Sequence, residues 1–410
     1  PCKKCDSDQT VEYFDKNFDL GWIDNDQIFT ADLSKKLRYI EQNRHQGKKY
    51  YVTTGKRVKN FIATNENEYK DFDWRNENLR LLSLFRYWNY VEYFSPYKYQ
   101  TDMDWDTVLE TMIPKFLYPE TERDFYMASL ELVVSLNDGH ASLYNVKMIN
   151  FTGNYRIPAE FMIIDDKAVF TSFYNDSLAS LDDLRVGDAI TKIDGRAVKA
   201  IFDEQEKYIT GSNLAKKKAS WYSTIFDGPS DNVEIEYLRN NQTLTKTIKR
   251  YLLNDLKINP KNGEKFKTLD GNIGYVNTDL IDIKDVDVIM EELKNTDAII
   301  FDVRVYPSAS IYQAISKHIN STGNSFYKSI YPDLNYPGKF IWQEGSKSFF
   351  SEEMKYKGKV VLLTNEKAIS HAEFTIMCLQ SGDNVTTIGS QTSGADGNVS
   401  VFKMVDGYST

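Results

Sequence analysis

Lys359-Val-Val-Leu-Leu-Thr-Asn-Glu-Lys-Ala-Ile-Ser370-His-Ala-Glu-Phe-Thr-Ile-Met-Cys-Leu-Gln380 reads as a strand, a turn and a helix in succession. Val360 to Leu363 form a short uninterrupted apolar run, the pattern of a strand covered on both faces. Thr364 to Ile369 is a polar-to-small connection, and from Ser370 onward Phe374, Met377, Cys378 and Leu379 recur at helical spacing. A serine at this junction stands at a helix N-terminus, where unbonded backbone N–H groups and the macrodipole favour developing negative charge. A hydrolase would put a nucleophile and part of an oxyanion hole there. A plainer reading fits the same residues: Ser370 as an N-cap, with Glu373 three residues on completing a capping box.

Around this stretch, strands and helices alternate from about residue 265. Asn272 to Val276 and Ala298 to Val303 read as strands, Val286 to Leu293 as a helix, and a further helix runs through His318. Thr386 to Gly389 is the strand that follows the Ser370 helix. This is α/β order, in which sites lie beyond the carboxyl ends of the strands. Arg304 to Ser310, Ser370 and Gln391 to Asn398 all follow strand ends and are expected on one rim. His318, mid-helix, reads as structural.

Strand-like alternation dominates from about 155 to 252. Its informative piece is Asp183-Leu-Arg-Val-Gly-Asp-Ala-Ile-Thr-Lys-Ile-Asp-Gly-Arg-Ala-Val198, where Gly187-Asp188 turns into a strand and Asp194-Gly195 turns out of it. Before it, from about 76 to 144, the period is helical, with three helices marked by Leu81 to Val91, Trp105 to Ile113 and Phe125 to Leu136. The last runs into Asn137-Asp-Gly-His140, with Gly139 as a natural helix stop and His140 in the loop beyond. A histidine there could offset the helix dipole, or serve as a base in a polar loop. Residues 1 to about 74 are polar and weakly patterned. Phe18 to Trp22 and Lys49 to Thr53 suggest short strands, and His45 reads as a solvated surface residue.

At 410 residues the chain has room for two or three domains. A net charge of −9 argues against a nucleic-acid partner. No apolar run approaches the roughly 20 residues of a membrane span. Cys2 and Cys5 form a lone C-x-x-C with no second ligand pair, which speaks against zinc. A disulfide, free thiols, or a lipid anchor at Cys2 behind a cleaved leader all fit. The chain begins at Pro1 rather than Met, consistent with a removed leader or an internal start.

Two resemblances add to this reading. Residues 183 to 198 resemble the signature of the PDZ fold, whose domains bind extended peptides by strand addition. Tyr155-Arg-Ile-Pro-Ala-Glu-Phe161 stands where such domains usually carry a glycine-containing carboxylate loop. The order of all the pieces from about 76 to 410 is similar to the C-terminal processing (tail-specific) peptidases and the tricorn core protease. Gly274-Tyr-Val276, Ile299-Ile-Phe-Asp-Val-Arg304, Val360 to Glu366, Ser370-His-Ala-Glu373 and Ile388 to Gly394 carry the likeness together.

The resemblance implies an α/β catalytic core (a ClpP/crotonase-like βαβ sheet), a helical N-terminal segment and an inserted PDZ-like β domain. The expected divisions are 1–74 accessory, 75–150 helical, 155–255 PDZ-like and 265–410 catalytic. It implies a serine endopeptidase acting on peptide or unfolded-protein substrates, with no metal or organic cofactor. Ser370 falls on the nucleophile. The lysine of the processing branch is replaced by Ala395, so the tricorn-like branch is the better match, and His140 falls on its histidine base. The His371 N–H would be one oxyanion donor. The second would come from Ser308 or Ala309, where the family has a glycine pair. Asp138 and Glu373 are candidates for supporting roles. Extrapolating the family pattern puts the supporting glutamate of the tricorn-like branch beyond Thr410, and Val401 to Gly407 reads as a continuing strand. Family habit points to the bacterial periplasm or outer membrane. The alternative is a catalytically impaired peptide-binding protein on the same fold, and a serine esterase is a third option.

Overall fold

A computed structural model describes residues 11–14, 16–143, 153–221, 224–256 and 263–410. Cys2 and Cys5, and with them the lipid-anchor and disulfide expectations, lie outside the described residues. The chain divides into two units, one of residues 1–136, 327–346 and 398–410, the other of 137–326 and 347–397.

In the first unit, helices Glu77–Phe94, Trp105–Leu117 and Glu122–Val134 bury Leu84, Val108, Phe116, Phe125 and Leu132 completely. Arg80 is buried with them, donating to the carbonyls of Phe116 and Leu117 that end the second helix. Those carbonyls have no intrahelical partner, so the guanidinium satisfies them. Lys328–Pro332, Phe340–Glu344 and Tyr13–Phe14 form a small antiparallel sheet with the central strand at 340–344.

Three local expectations change here. Phe18 to Trp22 is not a strand: Asp19 accepts the Gly21 N–H at 2.6 Å, turning the chain into a short 3-10 helix, Gly21–Asp24. Ala31–Gln42 is a helix capped by Thr30, with Leu33, Leu37 and Ile40 at helical spacing, although none of its residues is buried. Val401 to Gly407 does not continue as a strand. Gly407 takes φ +84°, Lys403 bridges back to Ser409, and Phe402 and Thr410 exchange backbone hydrogen bonds.

The second unit holds two larger sheets. One is antiparallel, in the order Gln242–Lys249, Asn232–Arg239, Ala189–Ile193, Lys167–Phe173, Ala159–Ile164, with Arg196–Ala197 folded back on Ala189–Ile193. Its hairpin turn is Asp194-Gly195, both at positive φ. The other sheet runs Phe266–Leu269, Ile273–Asn277, Ala298–Asp302, Lys359–Thr364, Val385–Gly389, and its last four strands are parallel. Ile299, Phe301, Val360 and Leu362 are buried along the two inner strands, as uninterrupted apolar runs require. Helices Ile283–Glu292, Tyr312–Ile319 and His371–Gln380 follow or join these strands. His318 is buried and its Nε2 lies 2.7 Å from Asp287 Oδ1, a helix-to-helix tie. His45 lies 3.3 Å from the Lys48 carbonyl, within its own loop.

Candidate active site

Parallel neighbours end on the same side, so the segments after Asp302, Thr364 and Gly389 share the carboxyl rim of the sheet. Asp302 opens the first of them. Its carboxylate is buried, yet the bidentate Arg304 guanidinium (2.9 and 2.6 Å) and the Tyr275 hydroxyl (2.7 Å) outweigh that burial and hold it below the ordinary carboxylate range. Gly389 closes the last strand against Thr364: a Cβ there would lie 2.0 Å from the Thr364 carbonyl oxygen.

Ser370 sits at the turn from strand to helix with φ +54° and ψ −119°. An N-cap residue normally has extended backbone, so this is not the geometry of an ordinary cap. A serine pays steric strain in this region, and such strain gathers at functional turns of the nucleophile-elbow kind. Glu373 accepts the Ser370 N–H at 3.2 Å, one half of a capping box. It does more than cap. Its Oε1 accepts from Thr392 Oγ1 (2.6 Å) and Gly394 N–H (2.7 Å), and its Oε2 from Ala395 N–H (2.9 Å). Buried and with both oxygens engaged, Glu373 ties the 392–395 loop to the start of the helix. The Ala395 carbonyl in turn accepts from Ser370 N–H at 3.1 Å.

The loop bearing His140 packs on the flank of this turn. The helix before it is stopped by Asn137, at φ +52°, and not by Gly139. Gly139 instead sits in tight space: a Cβ there would lie 3.1 Å from Ala395 Cβ and 3.4 Å from Ile369 Cδ1. Asp138 Oδ1 accepts the His140 N–H at 2.7 Å and lies 3.8 Å from His140 Nδ1. Asp138 therefore shapes the turn first, and stands too far from the ring for a hydrogen bond.

The expected oxyanion donors separate. Ser308 N–H is directed at the Thr278 carbonyl (3.4 Å) and its hydroxyl donates to the Ile281 carbonyl (2.8 Å). Neither residue has positive φ. The His371 ring does not face Ser370. Its Nε2 lies 3.2 Å from the Ala309 carbonyl, between the rings of Tyr306 and Tyr312 at 5.8 and 5.9 Å.

Lys216 went unnoticed in the sequence. Burial holds its ammonium below the usual lysine range against the pull of nearby Glu373. One of three consecutive lysines, it carries no local signal. Among the described residues, no group of three or more His, Cys, Asp or Glu side chains is placed to hold a metal ion.

Residues 272–410 match the model of peptidase family S41. By that match the carboxyl-terminal third of the chain is similar to peptidase family S41, a likeness that marks a serine-type peptidase. The fold of the chain is similar to that of CPAF. A crystallised CPAF mutant is 13% identical, with a TM-score of 0.62 over 81% of this chain and 88% of that one. Mature CPAF complexed with lactacystin is 13% identical, with a TM-score of 0.59 over the same shares of the two chains. At such identity the likeness concerns the fold. No curated protein sequence matches the chain.

Proposed function

We propose that this protein is an endopeptidase for peptide or unfolded-protein substrates, with Ser370 as nucleophile and His140 as general base. The observation that carries this reading is the strained Ser370 backbone at a strand-to-helix turn, with the His140 loop packed against Ile369 beside it. Ser370 Oγ attacks the substrate carbonyl while His140 takes the hydroxyl proton. The tetrahedral oxyanion is held by the N–H groups of His371 and Ala309. The C–N bond then breaks, the amine leaves with the proton from His140, and water repeats the sequence on the acyl-enzyme. The base supplies about 10²–10⁴-fold and each donor about 10²–10³-fold.

The antiparallel sheet within 155–255 is, on this reading, a PDZ-like domain that takes an extended segment of the substrate along a strand edge. The 75–150 segment delivers the base, and 265–410 forms the catalytic core. No helix among the described residues is long and apolar enough to cross a membrane. We place the protein outside the cytoplasm, in the periplasm or on the outer membrane, which cell fractionation of the full-length protein tests.

A fluorophosphonate probe tests the chemistry. Wild type is labelled, and Ser370→Ala and His140→Ala are not. Labelling of Ser370→Ala would refute the nucleophile. One observation favours the alternative of a catalytically impaired peptide binder: Ser308 N–H turns to Thr278 and not into the site. Peptide affinity without any labelling of wild type would establish it.

A further inference from the structure

The segment Gly211 to Lys216 falls outside every motif that suggests chemistry, yet it touches both loops that flank Ser370. Ser212 Oγ accepts the Gly139 N–H at 2.8 Å, one residue before His140. Asn213 Nδ2 donates to the carbonyls of Thr392 and Ser393, at 3.0 and 3.1 Å. That second loop supplies the Ala395 carbonyl bound to Ser370 N–H.

We infer that Ser212 and Asn213 are positioning residues for the hydrolytic site, an inference that rests on the assignment of Ser370 and His140 above. Asn213 is itself held at its other end. Its Oδ1 accepts from Lys216 N–H at 2.8 Å, and its backbone carbonyl from Lys217 N–H at 2.9 Å, at the start of helix Leu214–Trp221. One planar amide therefore joins the helix start to the 392–393 carbonyls, and its two ends cannot move apart independently. Gly211 makes the turn before it tight, since a Cβ there would lie 2.7 Å from Lys217 N.

Gly139 is where the parts meet. The position of its absent Cβ is 3.3 Å from Ser212 Oγ, 3.1 Å from Ala395 Cβ and 3.4 Å from Ile369 Cδ1. The His140 loop is thus gripped between the Ser212 hydroxyl and the residues around Ser370. Ser212 sets the distance of the base loop from the nucleophile, and Asn213 holds the nucleophile's own support. Neither side chain is asked to touch substrate. Both act through the backbone of residues that do the work.

The experiment compares full-length wild type with Ser212→Ala and Ser212→Thr, reading the rate of fluorophosphonate labelling at Ser370 together with kcat, KM and melting temperature on an ester substrate. Small misplacements of a catalytic group cost up to about 10²-fold. Ser212→Ala is therefore expected to lose about 10- to 100-fold in labelling rate and in kcat. KM should hold, and melting should move little. Ser212→Thr, which keeps the hydroxyl, should restore most of the rate. A folded Ser212→Ala that labels and turns over like wild type overturns the inference, as does equal loss in the threonine variant. Should Ser212→Ala not fold, Asn213→Asp carries the same two readings. Its carboxylate can still cap the helix but has no donor for the 392–393 carbonyls. Wild type that fails to label at all would sink the Ser370–His140 assignment itself, an outcome distinct from equal labelling of the variants.

Discussion

His371 donates a hydrogen bond from Nε2 to the carbonyl oxygen of Ala309 at 3.2 Å. In the proposed mechanism the residue after the nucleophile therefore has two uses. Its backbone N–H would serve the oxyanion, and its ring ties down the strand-end loop that would bring the second donor.

His371→Ala keeps the backbone donor and removes the tether. We expect kcat on an ester substrate to fall about tenfold, short of the 10²–10³-fold that losing a donor costs. His371→Gln, able to reach the same carbonyl, should recover part of it. Unchanged steady-state kinetics in the alanine variant would remove any role for the ring.

Ser370 at φ +54° and ψ −119° is strained, and glycine adopts that backbone freely. Ser370→Gly should abolish hydrolysis and raise stability by about 1 kcal/mol. In calorimetry that is a gain of about 2 °C. Ser370→Ala keeps a Cβ in the same conformation and should show no such gain. Equal melting temperatures for the two variants would mean that the turn stores no strain.

Glu373 accepts four hydrogen bonds while buried, three of them from backbone N–H groups. Glu373→Ala strands those donors, at about 1–3 kcal/mol for each that finds no water. Urea unfolding should show a loss of about 3 kcal/mol or more. Glu373→Gln also loses stability, because its amide group must face donors on one side. A loss under about 1 kcal/mol in the alanine variant would mean that the 392–395 loop does not depend on Glu373.

Partial desolvation by the surrounding loop and then the like charge of Glu373 push the Asp396 carboxyl up to about 6, although the residue keeps an exposed face. The folded state therefore holds a proton that the unfolded state has released between pH 3.8 and about 6. Stability falls as pH rises through that window and levels off above it. In melting curves taken from pH 4 to 8, Asp396→Asn should flatten this part of the profile. An identical profile in wild type and variant would show that Asp396 titrates as an ordinary surface carboxylate.

Lys216 lies near enough to Glu373 to feel its charge, although burial outweighs that pull and lowers the ammonium below the usual lysine range. With His140 as base, Lys216→Met should still label with fluorophosphonate at Ser370. Abolished labelling in a folded Lys216→Met, with His140→Ala still reactive, would move the base to the lysine.

Much of the core was legible because its signals are local. The apolar runs at 298–303 and 359–364 required strands covered on both faces, and the small-to-polar junction before Ser370 required a helix start. Asp194-Gly195 announced its turn by chemistry that needs only two residues. The solvated helix Ala31–Gln42 has its own local signal, Leu33, Leu37 and Ile40 at helical spacing behind the Thr30 cap, set in a polar stretch that reads as weakly patterned.

The sequence by itself determined the order of strands and helices, the family likeness, and Ser370 and His140 as the pair to examine, since each depends on neighbours along the chain. Tertiary structure alone decided the left-handed backbone at Ser370, the turning of Ser308 N–H toward Thr278, and the tight space around Gly139. It also decided the grip of Ser212 and Asn213, whose partners lie 73, 179 and 180 residues away along the chain. A hydrogen bond between such distant residues leaves no period or spacing in the sequence, because it exists only once the packed core has brought the two loops within 3 Å or so of each other.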